Sequence, residues 1–272
     1  MQNFGTSQRI GLLAGAGDIP VYFARRARAR GVQLVSIAFS KDIDASLQPF
    51  VDRHYSIGVG QSGKIVDTLK KENVHGVLML GKIEKSILFK PQLFDLRALK
   101  ALKRLVTHED KSVLSGVIVE LQKEGFTVLS QMEFLKELFP EPGVLTHRKP
   151  SRKEDEDIRF ALPIAKKLAD MEIGQTLLVR NKTVIAAEAV EGTDQAIQRG
   201  CSLAKGKCVA VKVSRTNQDY RYDTPGIGEK TVELLVQGGA SVLAVEAGRV
   251  MIADLPQVVK RADEGGLSLV AV

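Results

Sequence analysis

The chain has no tryptophan, only two cysteines and four histidines, and aromatic residues at just 5% of its 272 positions. Each scarcity excludes something. Cys201 and Cys208 cannot build a disulfide framework, and four histidines leave little material for a zinc site. Few aromatics means few stacking platforms for single-stranded nucleic acid. No stretch approaches the roughly 18–20 apolar residues that span a bilayer. The opening MQNFGTSQRIGLLAGAG has no basic segment ahead of a continuous apolar core, so it does not read as a signal peptide. The expected compartment is the cytosol.

What is present is ordinary for a globular protein. Hydrophobic residues make up 44% and charged residues 26%, which excludes a disordered or collagen-like chain. At roughly 150 residues per domain the length fits one large or two modest domains. Lys and Arg number 39 against 32 Asp and Glu, a net charge of +7. That balance favours anionic partners such as nucleotide phosphates, lipid head groups or nucleic acid. The basic residues are spread, apart from Arg25, Arg26, Arg28 and Arg30, so the charge permits such partners without selecting one.

The first half alternates between two hydrophobic periods. Residues 10–14, 32–39, 74–80 and 126–129 are short apolar runs that read as strands. Residues 20–30, 61–72, 96–106 and 112–124 have helical spacing. Strands alternating with helices imply βαβ units and a parallel sheet covered on both faces. This half, residues 1–138, therefore reads as a Rossmann-like domain. Residues 139–152 contain PEPGVLTHRKP, rich in proline and without periodicity, and read as a linker. Residues 153–272 alternate again and form a second α/β domain. Its expected strands are 176–180, 183–190, 208–213, 241–246, 249–252 and 267–272. The charge run 152–159 leads into a helical pattern to about 171, and further helices are expected from 194, from about 225 and near 255–262. The fold class is α/β throughout.

Four stretches carry residues suited to chemistry. Gly11-Leu-Leu-Ala14-Gly15-Ala-Gly17-Asp18-Ile-Pro20 lies between a strand and a helix, where glycines allow close backbone approach and the helix start offers N–H groups to a phosphate. The alternative is a tight strand-to-helix turn with Pro20 at the first helical position. The following strand ends in Ile37-Ala38-Phe39-Ser40, without the acidic ribose ligand an NAD site needs. Met79-Leu80-Gly81-Lys82 closes another strand, where Lys82 is either a phosphate ligand or a solvated loop lysine.

The third stretch, Ser214 to Gly228, reads SRTNQDYRYDTPGIG. If extended, it places Asp219, Arg221 and Asp223 on one face. Two carboxylates flanking an arginine suit a metal–phosphate site. The plainer reading is a strand-to-helix connection with Thr224 as N-cap. In the fourth, Glu188, Glu191 and Asp194 flank Thr193, and three acids so close repel unless a cation or a helix start offsets them. Glu246 is either a buried acid, and so a base or ligand, or a strand-end residue. The two cysteines read as inert core thiols, and none of the histidines has a nucleophile or ligand spacing around it.

Taken in order, GLLAGAGDIP, MLGKI, the stretch around His108-Glu-Asp-Lys-Ser-Val-Leu, AAEAVEGTD, SRTNQDYRYDTPGIG and VLAVEAG resemble the LpxI-type UDP-2,3-diacylglucosamine pyrophosphatases. The resemblance covers both halves of the chain. It implies two α/β domains with the ligand between them. The implied reaction belongs to lipid A biosynthesis: Mg²⁺-dependent hydrolysis of UDP-2,3-diacylglucosamine to UMP and 2,3-diacylglucosamine 1-phosphate (lipid X), with water attacking the sugar-side phosphorus. The family's essential aspartate maps to Asp223, with Asp219 the close alternative. Candidate metal ligands are Asp223, Asp219, Glu191 and Asp194. The candidate substrate-binding set is Ala14, Gly15, Gly17, Asp18, Gly81, Lys82, Thr193, Lys212, Asn217 and Arg221. A peripheral position on the anionic face of the inner membrane, a homodimer and no nucleic-acid partner are further expectations. A nucleotide- or RNA-binding module without catalysis is the alternative, and an oxidoreductase lacks its ribose acid.

Overall fold

The computed structural model describes residues 9–39, 41–83, 94–95, 98 and 113–272. The chain divides into two units, Met1–Phe134 with Tyr220–Tyr222, and Leu135–Asp219 with Asp223–Val272.

In the first unit the elements run β1 (Arg9–Ala14), α1 (Ile19–Ala29), β2 (Leu34–Ala38), α2 (Lys41–Leu47), β3 (Arg53–Ser56), α3 (Ser62–Lys71), β4 (Val74–Leu80), α4 (Val113–Lys123), β5 (Thr127–Val128) and α5 (Gln131–Phe134). The five strands form one parallel sheet in the order β3-β2-β1-β4-β5. Leu12, Leu34, Val35, Ile37 and Leu78 are fully buried in it. Strands covered on both faces read as unbroken apolar runs, which is why β1, β2 and β4 stand out in the sequence. The chain winds outward from β1 through β2 to β3, then crosses back to β4. The carboxyl ends of β1 and β4 therefore flank the point where the strand order reverses, the position at which open α/β sheets bind ligands. Apart from residue 98, the helix expected at 96–106 and the His108–Ser112 stretch lie outside the described residues.

In the second unit the order is β6 (Gly143–Val144), α6 (Arg152–Asp170), β7 (Thr176–Arg180), β8 (Thr183–Ala187), α7 (Thr193–Ala204), β9 (Val209–Lys212), β10 (Gly226–Ile227), α8 (Glu229–Gln237), β11 (Val242–Val245), β12 (Met251–Ile252), α9 (Leu255–Glu264) and β13 (Ser268–Ala271). A six-stranded sheet runs β6-β13-β11-β9-β7-β8, with β13, β11 and β9 parallel and the outer pairings antiparallel. β10 and β12 form a separate parallel pair.

α6 starts at a capping box formed by Ser151 and Glu154. The Ser151 hydroxyl accepts the Glu154 N–H, and the Glu154 carboxylate accepts the Ser151 N–H at 2.7 Å. Residues 139–152, read as a linker, contain an edge strand of this sheet: β6 pairs antiparallel with β13. Further along, the Arg148 guanidinium binds Glu154 and the Ser241 carbonyl. Among the described residues no helix is long and apolar enough to cross a membrane.

Candidate functional site

In the first unit two loops meet at the strand reversal. The Gly15 N–H donates to the Leu80 carbonyl, and Ala16 and Lys82 exchange both backbone hydrogen bonds, each bond being 2.8 Å. The approach explains two glycines. A Cβ at Gly15 would lie 2.5 Å from the Lys82 carbonyl oxygen, and one at Gly81 would lie 2.6 Å from the Gly15 carbonyl oxygen. Gly81 also has φ +86°, a region that disfavours a side chain. The N–H groups of Gly15 and Ala16 therefore serve the loop contact, and the open backbone lies further on. Gly17, with φ +104°, has nothing within 4 Å of where a Cβ would sit, and Asp18 stands exposed as the N-cap residue of α1 without a side-chain cap bond. Ala14 is buried at the end of β1, where its carbonyl accepts the Phe39 N–H. Lys82 is exposed.

The same sheet holds a group that the sequence did not announce. Ser36 Oγ lies 2.6 Å from His54 Nδ1, and His54 Nε2 contacts the Asp44 carboxylate. The residue types are those of a nucleophile–base–acid relay. Ser36 is 0% exposed at the centre of β2, so no substrate reaches it and the trio is an internal polar tie. Its members are 18 and 10 residues apart and meet only because β3 lies beside β2.

In the second unit the acids of the fourth stretch each have a partner. Glu191 pairs with Arg199 at 2.7 Å, and that bond holds its carboxyl below the usual range. Asp194 pairs with Lys230 at 2.7 Å. Thr193 donates to Glu188 at 2.8 Å and accepts from Lys212 Nζ at 2.8 Å, with Lys212 only 6% exposed at the end of β9. The repulsion expected among these acids is thus relieved by separate partners. Among the described residues no group of three His, Cys, Asp or Glu side chains is placed to hold a metal ion.

The third stretch departs from the extended form. Residues 220–222 make a turn in which the Asp223 N–H donates to the Asp219 carbonyl at 3.2 Å. The two-residue period therefore does not apply, and Asp219, Arg221 and Asp223 do not line one strand face. Tyr220–Tyr222 belong to the first unit, where the Tyr220 carbonyl accepts the Gln131 N–H at 2.7 Å. Nor does a helix start at Pro225. Gly226 and Ile227 pair with Met251 and Ile252 instead, α8 begins at Glu229, and its N-cap is Gly228. Among the described residues the buried Thr224 hydroxyl oxygen has no hydrogen-bond partner, so it caps nothing. Tertiary pairing overrode a local helix-start signal.

Asp223 is nonetheless firmly held. The Arg215 guanidinium and Gln218 Nε2 both donate to its Oδ2, the latter at 2.8 Å, and Gln218 Nε2 also reaches the Asp223 carbonyl at 2.8 Å. With 39% of its side chain exposed, Asp223 is partly open to solvent. Burial alone lowers the Arg215 pKa, but the Asp223 and Glu172 carboxylates more than reverse this and keep it above its ordinary value. Asn217 is exposed, while Asp219 and Arg221 are half-buried.

Beneath this loop lies Glu246. It accepts two bonds from Lys166 Nζ (2.7 and 2.9 Å) and one each from the Ser214 N–H and hydroxyl (2.8 and 2.9 Å). Burial pushes its pKa up, but the Lys166 and Ser214 bonds outweigh burial, so it sits below the usual carboxylate range. An acid held ionised by so many donors is a structural anchor and a poor base. Glu246 and Lys166 also line a hollow of about 320 Å³ with Leu162, Pro163, Val213 and Val272. Arg215, Gln218 and Arg249 were not visible as site residues in the sequence. Their only signal is proximity to the aspartates or to Glu246.

Comparison with known proteins is consistent along the whole chain. One solved structure, N5-carboxyaminoimidazole ribonucleotide synthetase from Thermotoga maritima, aligns at 18% identity over 65% of this chain and 40% of that one. Its TM-score of 0.25 is too low to carry an argument. UDP-2,3-diacylglucosamine pyrophosphatase LpxI of Caulobacter vibrioides is 30% identical over 276 residues, spanning 97% of this chain and 98% of that protein. The LpxI N-terminal domain model matches residues 9–138, and the LpxI C-terminal domain model matches residues 141–270. The two domain models meet end to end along the chain, which therefore belongs to the LpxI family.

Proposed function

We propose that this protein is a UDP-2,3-diacylglucosamine pyrophosphatase of lipid A biosynthesis, releasing UMP and 2,3-diacylglucosamine 1-phosphate. The observation that carries the reading is the LpxI match over both halves of the chain, at full length against a relative of that name. In chemical terms water adds to the sugar-side phosphorus, the bond from that phosphorus to the bridging oxygen breaks, and UMP leaves with that oxygen. Asp223 orients the attacking water or accepts its proton, a role that its partly open and doubly anchored side chain suits. Lys82 and Arg221 are the proposed counter-charges for the phosphates. Asp219 is the alternative to Asp223.

The same reading includes Mg²⁺. Mg²⁺ is commonly held by one or two carboxylates together with substrate phosphates and water, so a cluster of three protein ligands is not required. Asp223 fits that mode, because the two hydrogen bonds to its carboxylate among the described residues both fall on Oδ2. Asp223 and Asp219 are the proposed ligands, with Glu191 and Asp194, paired with Arg199 and Lys230, as the further candidates. When bound, the ion would neutralise phosphate charge and lower the barrier to attack. We also propose that the enzyme meets its lipid substrate peripherally on an anionic membrane face, as its net charge of +7 favours.

The test is UMP release from UDP-2,3-diacylglucosamine in ¹⁸O-labelled water, with and without Mg²⁺, by wild type and Asp223→Ala. Label in the sugar phosphate, metal dependence and loss of turnover in the variant are expected. Label in UMP would overturn the site of attack. No product from the wild type would overturn the function and put a nucleotide- or RNA-binding module first.

A further inference from the structure

We propose that Arg215 is a positioning residue: its guanidinium sets the direction of the Asp223 carboxylate and does not bind substrate phosphate. The proposal rests on the role given to Asp223 above. Arg215 lies eight residues before Asp223, in a segment without helix or strand. Both arms of its guanidinium are engaged by carboxylates, one by Asp223 and the other by Glu172 at 2.6 Å. A phosphate would have to displace one of them. Gln218 completes the hold. Its Nε2 shares Asp223 Oδ2 with the guanidinium, while its Oε1 accepts the Arg215 N–H at 3.1 Å and Gln175 Nε2 at 3.0 Å. Turning the carboxylate about its own axis would break both bonds to Oδ2 at once.

The backbone that carries Arg215 is immobilised by side chains. Glu246 takes the Ser214 N–H and hydroxyl. Arg249 donates to the Ser214 hydroxyl oxygen at 2.6 Å and to the carbonyls of Arg215 and Thr216 at 2.6 and 3.0 Å. Asp170 accepts the Thr216 N–H at 2.6 Å and the Thr216 hydroxyl at 2.8 Å, bonds that hold its pKa below the ordinary range. An irregular loop with this many external bonds is rigid where loops usually are not. Rigidity there matters if the group at its end must be held within a fraction of an ångström of its working position. Glu246 and Arg249 thus act on Asp223 at two removes, through the backbone and then through Arg215.

The experiment compares wild type with Arg215→Ala and Arg215→Lys, measuring UMP release from UDP-2,3-diacylglucosamine, and repeats the alanine variant with added guanidinium chloride against sodium chloride at equal ionic strength. Loss of orientation predicts that kcat falls about 100-fold in Arg215→Ala. KM should stay within about threefold, since no substrate contact is removed. Guanidinium should restore part of kcat where sodium does not, and the lysine variant should keep more activity than alanine. A raised KM with kcat retained would overturn the proposal and make Arg215 a substrate ligand. A lowered melting temperature with no guanidinium rescue would overturn it in favour of a purely structural role.

A second readout does not depend on turnover. With ¹³Cγ-labelled aspartate, the Asp223 resonance is assigned from its disappearance in Asp223→Asn. It should move in Arg215→Ala and return with guanidinium. If wild type hydrolyses the substrate and this resonance stays put, the positioning proposal fails alone. If wild type does not turn over, the functional reading fails and the resonance still decides whether Arg215 holds Asp223.

Discussion

Replacing Glu246 with glutamine tests the anchor beneath the Asp223 loop. The substitution preserves volume but removes the charge. Of the two terminal atoms, one becomes an N–H₂ that must face either the Lys166 ammonium or the Ser214 N–H, both donors. Removing one member of a fully buried ion pair costs about 3–5 kcal/mol, whereas an exposed pair is worth about 1 kcal/mol or less. The Lys166 and Glu246 side chains are 27% and 20% exposed, which places the cost between these limits. About 2–3 kcal/mol is expected, or a melting temperature lowered by about 4–5 °C at this chain length.

The sign of the pH dependence follows from the shift. Glu246 has a folded-state pKa below its ordinary value because the Lys166 and Ser214 bonds outweigh burial. Its stabilisation is therefore fully present above the unfolded-state pKa and is lost as the pH falls through the folded-state value. Thermal melts of wild type and Glu246→Gln should differ fully at neutral pH, begin to approach one another below about pH 4.5, and coincide only below the lowered folded-state value. A difference under about 1 kcal/mol at neutral pH, or one that persists unchanged into acid, would refute the anchoring argument.

Gly81→Ala should cost about 3–4 kcal/mol, combining about 1–2 for the left-handed backbone with two loop hydrogen bonds at about 1 each; a urea midpoint near wild type would mean that the Gly15 and Gly81 loops do not meet as described. Asp157→Ala removes the carboxylate that accepts the N–H groups of Asn181 and Lys182 at 2.8 and 2.6 Å, in a hairpin turn where both residues have positive φ. The expected cost is about 2–3 kcal/mol, with faster hydrogen exchange at those two amides, and unchanged exchange would remove Asp157 from the turn. Sedimentation with anionic vesicles should capture the protein at low salt and release it by about 0.3 M, as screening predicts, while capture by zwitterionic vesicles would sink the electrostatic account.

The strands that the sequence made plain are those buried on both faces. β4 and β7 follow their apolar runs residue for residue, and β1 and β11 fall within a residue or two. β3, Arg53–Ser56, escaped notice because it lies at the sheet edge with two of its four residues exposed, and its side chains carry no hydrophobic signal. Pro225 reads locally as a helix start, but a distant strand claims the residues after it, as Met251 and Ile252 pair with Gly226 and Ile227.

The candidate site divides in the same way. Two aspartates, an arginine and a glycine-rich turn are conspicuous because their spacing is short and their chemistry suits phosphate. The sequence by itself thus determined two α/β halves, the run of buried strands and the stretch that bears Asp223, since each depends on residues within a few positions of one another. Only the tertiary structure decided that Asp223 sits after a turn, that Arg215 and Gln218 share its Oδ2, and that Glu246 and Arg249 hold Ser214 from 32 and 35 residues away. Hydrogen bonds between groups so far apart depend on how β9 and β11 pair, and that register is set by burial of the whole sheet and not by any local pattern.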